Sequence, residues 1–536
     1  MDQPTTNNRH PAPWWFTIAD KPFAPLALLT LVLALTLLWQ YLSPFTLIED
    51  EAHYWEWSRR LDWSYYSKGP GVALLIRAST TILGNSEFAI RAPAALSVFL
   101  GASACVLTAR ELFKDRIITF TAAVLYLGVP GFAFSSMLMT IDAPYLACWS
   151  FASFFAVRAL LRGRSRDWFS FGITLAIGFL FKYTILLLLP GVLLAILLTR
   201  NKRPRINPSA CLLGSSLVLL GLVPVLVWNS NHDWATFRHL LGHLGMHGGD
   251  TENTLAGPSE PFSILWPLEF LALFLLVGGG PLFLGLFAWR NTKLHAPQQH
   301  HTAATTLVAL ALPVALFYFL VSFKAQTEGN WPMSAFVSLV PLGAWAVKDA
   351  IARNDRPVRS AWGAAIVSIL LVFAFFPLAN FLSTRRIIGP YIPIHRITGM
   401  REHAQAAQHA LDQLRQETGL EPIIITDHYG RASLLAYYLD GHPTVYCASA
   451  LVGGRKTQYD LWPSTDLANP SLLIQLRGRP ALLFGGPERT WSTAFDNLTN
   501  IGPLPAEPKS HQTTYTGLRF TDFSSWRPAQ PGEHTP

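Results

Sequence analysis

Two neighbouring stretches decide what kind of molecule this is: Leu26–Leu42, LALLTLVLALTLLWQYL, and Ile48–Trp55, IEDEAHYW. The first carries no charge and is close to the roughly 20 apolar residues that cross a 30 Å hydrocarbon layer as helix, where every backbone group must be satisfied within the segment. The second places three carboxylates directly at its exit, followed by aromatic rings. Working outward, ten further apolar runs appear: Ile90–Ala109, Ile117–Ser135, Ala143–Leu161, Phe169–Phe181, Thr184–Leu198, Ala210–Trp228, Phe262–Phe287, Thr305–Phe323, Met333–Val347 and Trp362–Leu382. About eleven spans follow by the window criterion. The fifth and sixth are short and parted only by Lys182 and Tyr183, which reads as a tight hairpin, with one broken helix as the rival. Over all 536 residues, 51% are hydrophobic and 14% charged, against about 25% charged in soluble domains. A disordered chain is excluded, and a soluble enzyme is disfavoured.

Net charge is +8, and its position explains it. Lys and Arg collect in cytoplasmic loops. With the N-terminus inside, the inner loops hold Arg110, Lys114 and Arg116, then Arg158 to Arg166, Arg200 to Arg205, Arg290 and Lys293, and Lys348 to Arg359. The outer loops are poorer in cations at almost every turn. The surplus is therefore topological, and no nucleic-acid partner is expected. Segment 1–25 is expected to be cytoplasmic and uncleaved, because it has few positive charges and much polar sequence before its apolar run. Outside lie the loop 43–89, the turn near Thr140, the loop 229–261 and the tail after Leu382. In that tail, Glu402–Gly419 reads as an amphipathic helix ending at glycine, Pro422–Thr426 and Ala481–Phe484 as strands, and Ala432–Leu439 as a second helix. The expected architecture is mainly α, polytopic in the membrane over 26–382, with a small C-terminal α/β domain over 383–536. Four dispersed cysteines, Cys105, Cys148, Cys211 and Cys447, offer neither a disulfide framework nor a CxxC zinc site.

Acids are scarce, so their placement at outer span ends is informative. Ionisable groups at membrane depth are functional candidates by default, which singles out Glu49, Asp50 and Glu51. Negative charge favoured at a helix N-terminus is the plainer reading of all three. Tyr65-Tyr66-Ser67-Lys68-Gly69-Pro70 sets one cation in a rigid turn beside two phenols. A lysine suits phosphate as a point charge, whereas snorkelling to lipid headgroups needs no substrate. The apolar Val72–Leu83 that follows could lie along the interface. Asp142, before Ala143 and Pro144, has a structural explanation as a helix N-cap. Together Asp50, Asp142 and Lys68, with Lys182 at the hairpin turn, are expected on one face of the membrane. Carboxylates beside cations there suit removing an acceptor proton while holding an anionic leaving group.

The ordered motifs Asp50-Glu51-Ala52-x-Tyr54, Lys68-Gly69-Pro70, Thr140-x-Asp142-Ala143-Pro144, Lys182-Tyr183-Thr184, Val227-Trp228-Asn229 with His232-Asp233-Trp234, and Glu328-x-Asn330-Trp331-Pro332 are then decisive. With Gly453-Gly454-Arg455-x-x-Gln458-Tyr459-Asp460-Leu461-Trp462 in the tail, they resemble the membrane glycosyltransferases of the C superfold. The nearest group is that of the dolichyl-phosphate-mannose protein mannosyltransferases and the lipid A aminoarabinose transferase. The resemblance implies an inverting transferase in the bacterial inner membrane. It would use a polyprenyl-phosphate sugar donor and work on the periplasmic or lumenal side on a glycan, lipid or protein acceptor. It implies that Asp50 is the catalytic acidic residue of the first outer loop, as general base or as organiser of the acceptor, with Glu51 beside it and Asp142 the second acid. Lys68, assisted by Lys182, would clamp the departing phosphate, and Tyr66, Tyr183, His243 and Glu328 would contact substrate. His53 stands where an aromatic is frequent, which would alter acceptor choice, and Gly69 replaces a proline, which would loosen the Lys68 turn.

His239, His243 and His247 recur every four residues and would share one helix face, with Asp250 or Glu252 adding an oxygen. The glycines Gly242, Gly245, Gly248 and Gly249 argue against a helix, so a polar loop lining the donor groove is the expectation. A divalent cation such as Mg or Mn, held by Asp50 or Asp142, stays open. The competing class is a polytopic transporter, which predicts repeated halves and interrupted helices at mid-membrane.

Overall fold

The computed structural model describes residues 14–243, 263–295, 298–353, 356–383, 397–505 and 513–523. In chain order its helices begin with α1 (Trp15–Ala19), α2 (Ala24–Leu42), α3 (Glu49–Arg59), α4 (Gly71–Leu83) and α5 (Glu87–Phe113). Next come α6 (Arg116–Leu127), α7 (Pro130–Ser135), α8 (Asp142–Arg162), α9 (Ser165–Phe179), α10 (Leu188–Leu198), α11 (Pro208–Ser216), α12 (Leu219–Ser230) and α13 (Ala235–His243). The last long ones are α14 (Leu265–His295), α15 (Gln298–Val321), α16 (Ser334–Arg353) and α17 (Arg356–Ser383), before α18 (Met400–Thr418) and α19 (Tyr429–Tyr438). Contacts divide the chain into two compact units.

The first unit comprises Met1–Tyr41, Arg91–Pro224 and Phe262–Phe376. Among the described residues of the chain, seven helical segments are long and apolar enough to cross a membrane, and four shorter apolar helices accompany them. The protein is a multi-pass membrane protein. Helix α16 lies at the centre, packed by α6, α14 and α15, and buries Phe336, Val340 and Leu342 completely or nearly so. Helix α2 instead exposes Leu31, Leu35 and Leu38, a face that only hydrocarbon would cover. Where one long span was read from sequence, Gly128 and Pro130 split α6 from α7. Likewise α9 and α10 are separate helices, but not a packed pair. Helix α9 lies on α8 and α11, whereas α10 lies mainly on α15. Between them a 3₁₀ turn, Tyr183–Leu187, follows the extended Lys182.

The second unit comprises Leu42–Ile90, Val225–Pro261 and Pro377–Pro536. The first outer loop thus groups with the C-terminal domain. Five strands, β1 (Ile423–Thr426), β2 (Tyr446–Cys447), β3 (Ala481–Phe484), β4 (Phe495–Gly502) and β5 (Thr514–Phe520), make one sheet of order β2-β1-β3-β5-β4. The β2-β1-β3 ladder is parallel, and β5 and β4 add antiparallel. Every residue of β1 and β3 is buried, as expected for parallel strands covered on both faces. Helix α18 stops at Gly419, whose φ of 70° supplies the left-handed cap. Helix α4 keeps Val72, Ala73 and Ile76 buried while Leu74, Ile82 and Leu83 are exposed, the two-sided pattern of an interfacial helix.

Candidate active site

In the helical unit the chemistry gathers at Asp142. Sequence suggested an N-cap, but Asp142 is the first residue of α8, with Ile141 at the cap position and no side-chain capping bond. Asp142 is only 5% exposed. One oxygen accepts from Lys182 Nζ at 2.9 Å and the other from Asn330 Nδ2 at 2.7 Å. Lys182 also lies 5.3 Å from the centre of the Tyr145 ring, and the Tyr145 hydroxyl bonds Ser334 Oγ at 3.0 Å and Thr184 Oγ1 at 3.3 Å. Three separate elements therefore converge on one carboxylate. A buried ion pair adds little net stability, but loss of one partner strands the other charge.

Asp142 and Asn330 line a cavity of about 1100 Å³ with Thr140, and its remaining wall is mostly apolar, including Phe134, Leu138, Leu275, Phe283 and Leu371. Gly279, also in the wall, has a φ of 54° that breaks α14. A Cβ there would meet the Pro130 ring at 3.0 Å, so a side chain would be strained both in backbone and in space.

In the second unit α3 carries the triple acid. Asp50 is exposed. Glu51 is fully buried and accepts the Ile48 backbone N–H at 3.1 Å, which gives it a capping task at the start of α3. Glu49 covers Gly430 so closely that a Cβ would meet it at 2.6 Å, and it lies 3.9 Å from His428 Nδ1. Tyr429 stacks near His428, with ring centres 4.5 Å apart. The Arg455 guanidinium sits 5.4 Å over the Tyr429 ring. Burial, with the Asp50 charge next, pushes the Tyr429 hydroxyl up to about 12.

His53 is buried, and both of its ring nitrogens are hydrogen-bonded. Trp57 Nε1 donates to its Nε2 at 3.1 Å, so its Nδ1 carries the proton toward Ser433 Oγ at 3.0 Å. Ser433 donates to the Tyr429 carbonyl and also meets the Tyr459 hydroxyl, both at 2.9 Å. Burial first, then the Arg455 and His428 charges, lowers His53 to about 3, so the ring is neutral. The Lys68 turn is closed by hydrogen bonds. The Lys68 carbonyl accepts from Tyr65 N at 3.0 Å and Ser64 Oγ at 3.1 Å, and Gly69 and Pro70 are buried. Lys68 itself is half-buried. Tyr66 N–H donates to Gln458 Oε1 at 2.6 Å, and the Tyr66 ring lies 4.7 Å from His239.

Asp142 and Lys182 are thus brought together in the first unit, while Asp50, Glu51, Lys68 and Tyr66 belong to the second. Tyr183 opens the 3₁₀ turn with its ring 4.8 Å from Phe179. Glu328 is exposed, and its carbonyl closes the turn that presents Asn330 by accepting from Trp331 N at 3.1 Å. Residues 235–243 are helical, not a loop. Thr236 anchors this helix through Asn229 Oδ1 at 3.0 Å and the Tyr65 carbonyl at 3.1 Å, tertiary bonds that outweigh the cost of Gly242. His243 is its last residue; His247, Asp250 and Glu252 lie outside the described residues. Among the described residues no group of three His, Cys, Asp or Glu side chains is arranged to hold a metal. Asn330, Arg455 and Gln458 were passed over in the sequence although they stand inside motifs already quoted. Preference for charge selected Glu328 two positions before Asn330.

The comparisons bear out the resemblance read from the motifs. The family model described as dolichyl-phosphate-mannose-protein mannosyltransferase matches residues 67–228. The lipid A galacturonosyltransferase RgtD of Rhizobium johnstonii is 29% identical over 305 residues, 55% of this chain and 59% of that protein. The undecaprenyl phosphate-alpha-4-amino-4-deoxy-L-arabinose arabinosyl transferase 2 of Proteus mirabilis is 27% identical over 285 residues, 50% of each chain. The chain therefore spans only about half the length of these curated relatives. Among solved structures, ArnT from Cupriavidus metallidurans bound to undecaprenyl phosphate superposes with a TM-score of 0.63 at 13% identity, over 92% of this chain and 98% of that one. Its apo form gives the same score at 14% identity, over 92% and 97%. The chain has the fold of ArnT.

Proposed function

We propose that this chain is an integral membrane glycosyltransferase of the bacterial inner membrane that moves a sugar from a polyprenyl-phosphate donor to an acceptor hydroxyl on the periplasmic side. The observation that carries the proposal is the cavity whose wall is mostly apolar and whose polar lining includes Asp142, Asn330 and Thr140, with Lys182 held on Asp142. An isoprenoid chain suits the apolar part, and its phosphate suits the cation. The relatives named above are transferases of lipid-linked or lipid A sugars, which supports this reading over the transporter alternative.

In the proposed reaction Asp50, the exposed carboxylate, takes the proton of the acceptor hydroxyl as its oxygen attacks the sugar carbon. The bond from that carbon to the phosphate oxygen breaks with inversion, and polyprenyl phosphate leaves with the electron pair. Lys68, with Lys182 assisting, holds the charge that develops on the leaving phosphate. Asp142 and Asn330 keep Lys182 aimed, and Glu51 fixes the first turn of α3 beneath Asp50. Tyr66, Tyr183, His243 and Glu328 serve as further donor or acceptor contacts. The Asp142 oxygens each accept one hydrogen bond, from Lys182 and from Asn330, and no step of the proposed reaction is assigned to a metal there. The acceptor is proposed to be a glycolipid of the lipid A kind, in line with the relative that acts on lipid A.

Native mass spectrometry with undecaprenyl phosphate tests the reading. The purified protein should retain the lipid and Lys68→Ala should lose it. A wild-type protein that retains none would overturn the proposal. Release of free polyprenyl phosphate, rather than passage of the intact lipid-linked sugar, separates it from a transporter.

A further inference from the structure

The segment Arg455–Tyr459 touches the first outer loop, or the helix packed against it, through each of three side chains. Gln458 Oε1 accepts the Tyr66 backbone N–H at 2.6 Å, two residues before Lys68. Arg455 lies over the Tyr429 ring at 5.4 Å, and Tyr429 is the first residue of α19, whose N-terminal Gly430 is covered by Glu49 next to Asp50. Tyr459 meets Ser433, the residue to which His53 of α3 also bonds. The segment is itself held rigid: Asp460 Oδ2 accepts from Thr457 N at 2.6 Å and Thr457 Oγ1 at 3.0 Å, and Thr457, Gln458 and Tyr459 are all buried. All of these residues belong to one compact unit.

We propose that Arg455 and Gln458 are positioning residues with separate tasks, Gln458 fixing the turn that presents Lys68 and Arg455 fixing, through Tyr429, the start of α3 that presents Asp50. The C-terminal domain then shapes the reaction site instead of serving as a detached binding module. A backbone N–H held by a buried acceptor leaves the turn few alternatives, so Lys68 is delivered in one orientation. A guanidinium over a phenol ring works similarly on α19, because the contact is both cationic and flat. This inference rests on the roles proposed above for Lys68 and Asp50.

The test uses the full-length protein, undecaprenyl phosphate as affinity probe, and transfer in membranes of a deletion strain, which supply both donor and acceptor. Gln458→Asn withdraws the acceptor from Tyr66 while staying polar. It should weaken undecaprenyl phosphate affinity about tenfold with turnover little changed, and Gln458→Glu, which keeps an acceptor oxygen in place, should restore it. Arg455→Gln should lower turnover about tenfold with affinity unchanged, and Arg455→Lys should recover part of it. Affinity and turnover falling together in both variants, without rescue, would overturn the division of tasks. Wild-type behaviour of both variants, with Lys68→Ala and Asp50→Asn still impaired, would overturn this inference alone. Wild-type behaviour of Lys68→Ala and Asp50→Asn as well would instead remove the proposed function beneath it.

Discussion

Asp142 and Asp50 are both acids at the head of a helix, yet the two units treat them in opposite ways. Asp142 is buried and both its oxygens are engaged, by an ammonium and by an amide. Asp50 is exposed, beside a tyrosine whose hydroxyl is pushed up to about 12. A carboxylate locked to a cation is a poor proton acceptor but a good fixture for that cation. An exposed one can meet a hydroxyl. In the proposed reaction Asp50 takes the proton and Asp142 holds a cation, the kind of division by environment that lets two like groups serve different steps.

The sharpest way to break this contrast is to neutralise each acid. Asp50→Asn should cost transfer about 10² to 10⁴-fold, the range of general base catalysis, while thermal stability in detergent stays within about 0.5 kcal/mol, as for an exposed substitution. Asp142→Ala should also abolish transfer but destabilise by about 3 to 5 kcal/mol, because Lys182 is left buried and unpaired. Adding Lys182→Met should recover much of that stability and none of the activity. Equal stability losses for Asp50 and Asp142 variants would erase the distinction.

Two buried groups in the second unit sharpen the comparison by pH, with opposite signs. His53 is lowered to about 3 in the folded protein, against roughly 6.5 unfolded. The unfolded chain takes the proton more readily, so stability is full above pH 6.5 and falls below it, by about 2 kcal/mol at pH 5. His53→Gln should remove that slope in thermal melts. Asp460 is raised by burial to about 6, so the folded state holds its proton longer. Its stabilising contribution is full below about pH 3.8 and is lost as pH rises through 6, about 1 kcal/mol between pH 5 and 6. Asp460→Asn keeps an oxygen for Thr457 and should flatten that slope. Chelation by EDTA should change transfer less than twofold, since lysines carry the phosphate charge in the proposed reaction.

The membrane architecture was legible because lipid forces apolar runs of fixed length. Strands β1 and β3 were readable as buried β-branched and apolar runs at Ile423–Thr426 and Ala481–Phe484. Strand β4 was not: after Phe495 it exposes most of its residues, so no alternation marks it. Helix breaks within apolar runs, such as Gly128–Pro130 and Gly279, disappear under window averaging. Within the site, charge drew attention to Asp142 and Lys182 separately, and only the structure joins them as partners. Asn330 and Gln458 were overlooked because an amide advertises nothing until its partner is known. The hydrogen bonds on both nitrogens of His53 could not be read from the sequence, because their partners include Ser433, far away in the chain.

The most direct measurement is mass spectrometry of envelope glycolipids from a strain lacking this chain, complemented with the wild type or with Asp50→Asn. One glycolipid should lose the mass of a single sugar in the deletion strain, regain it with the wild type and fail to regain it with Asp50→Asn. Identical glycolipid spectra with and without the chain, or full recovery with Asp50→Asn, would contradict the account.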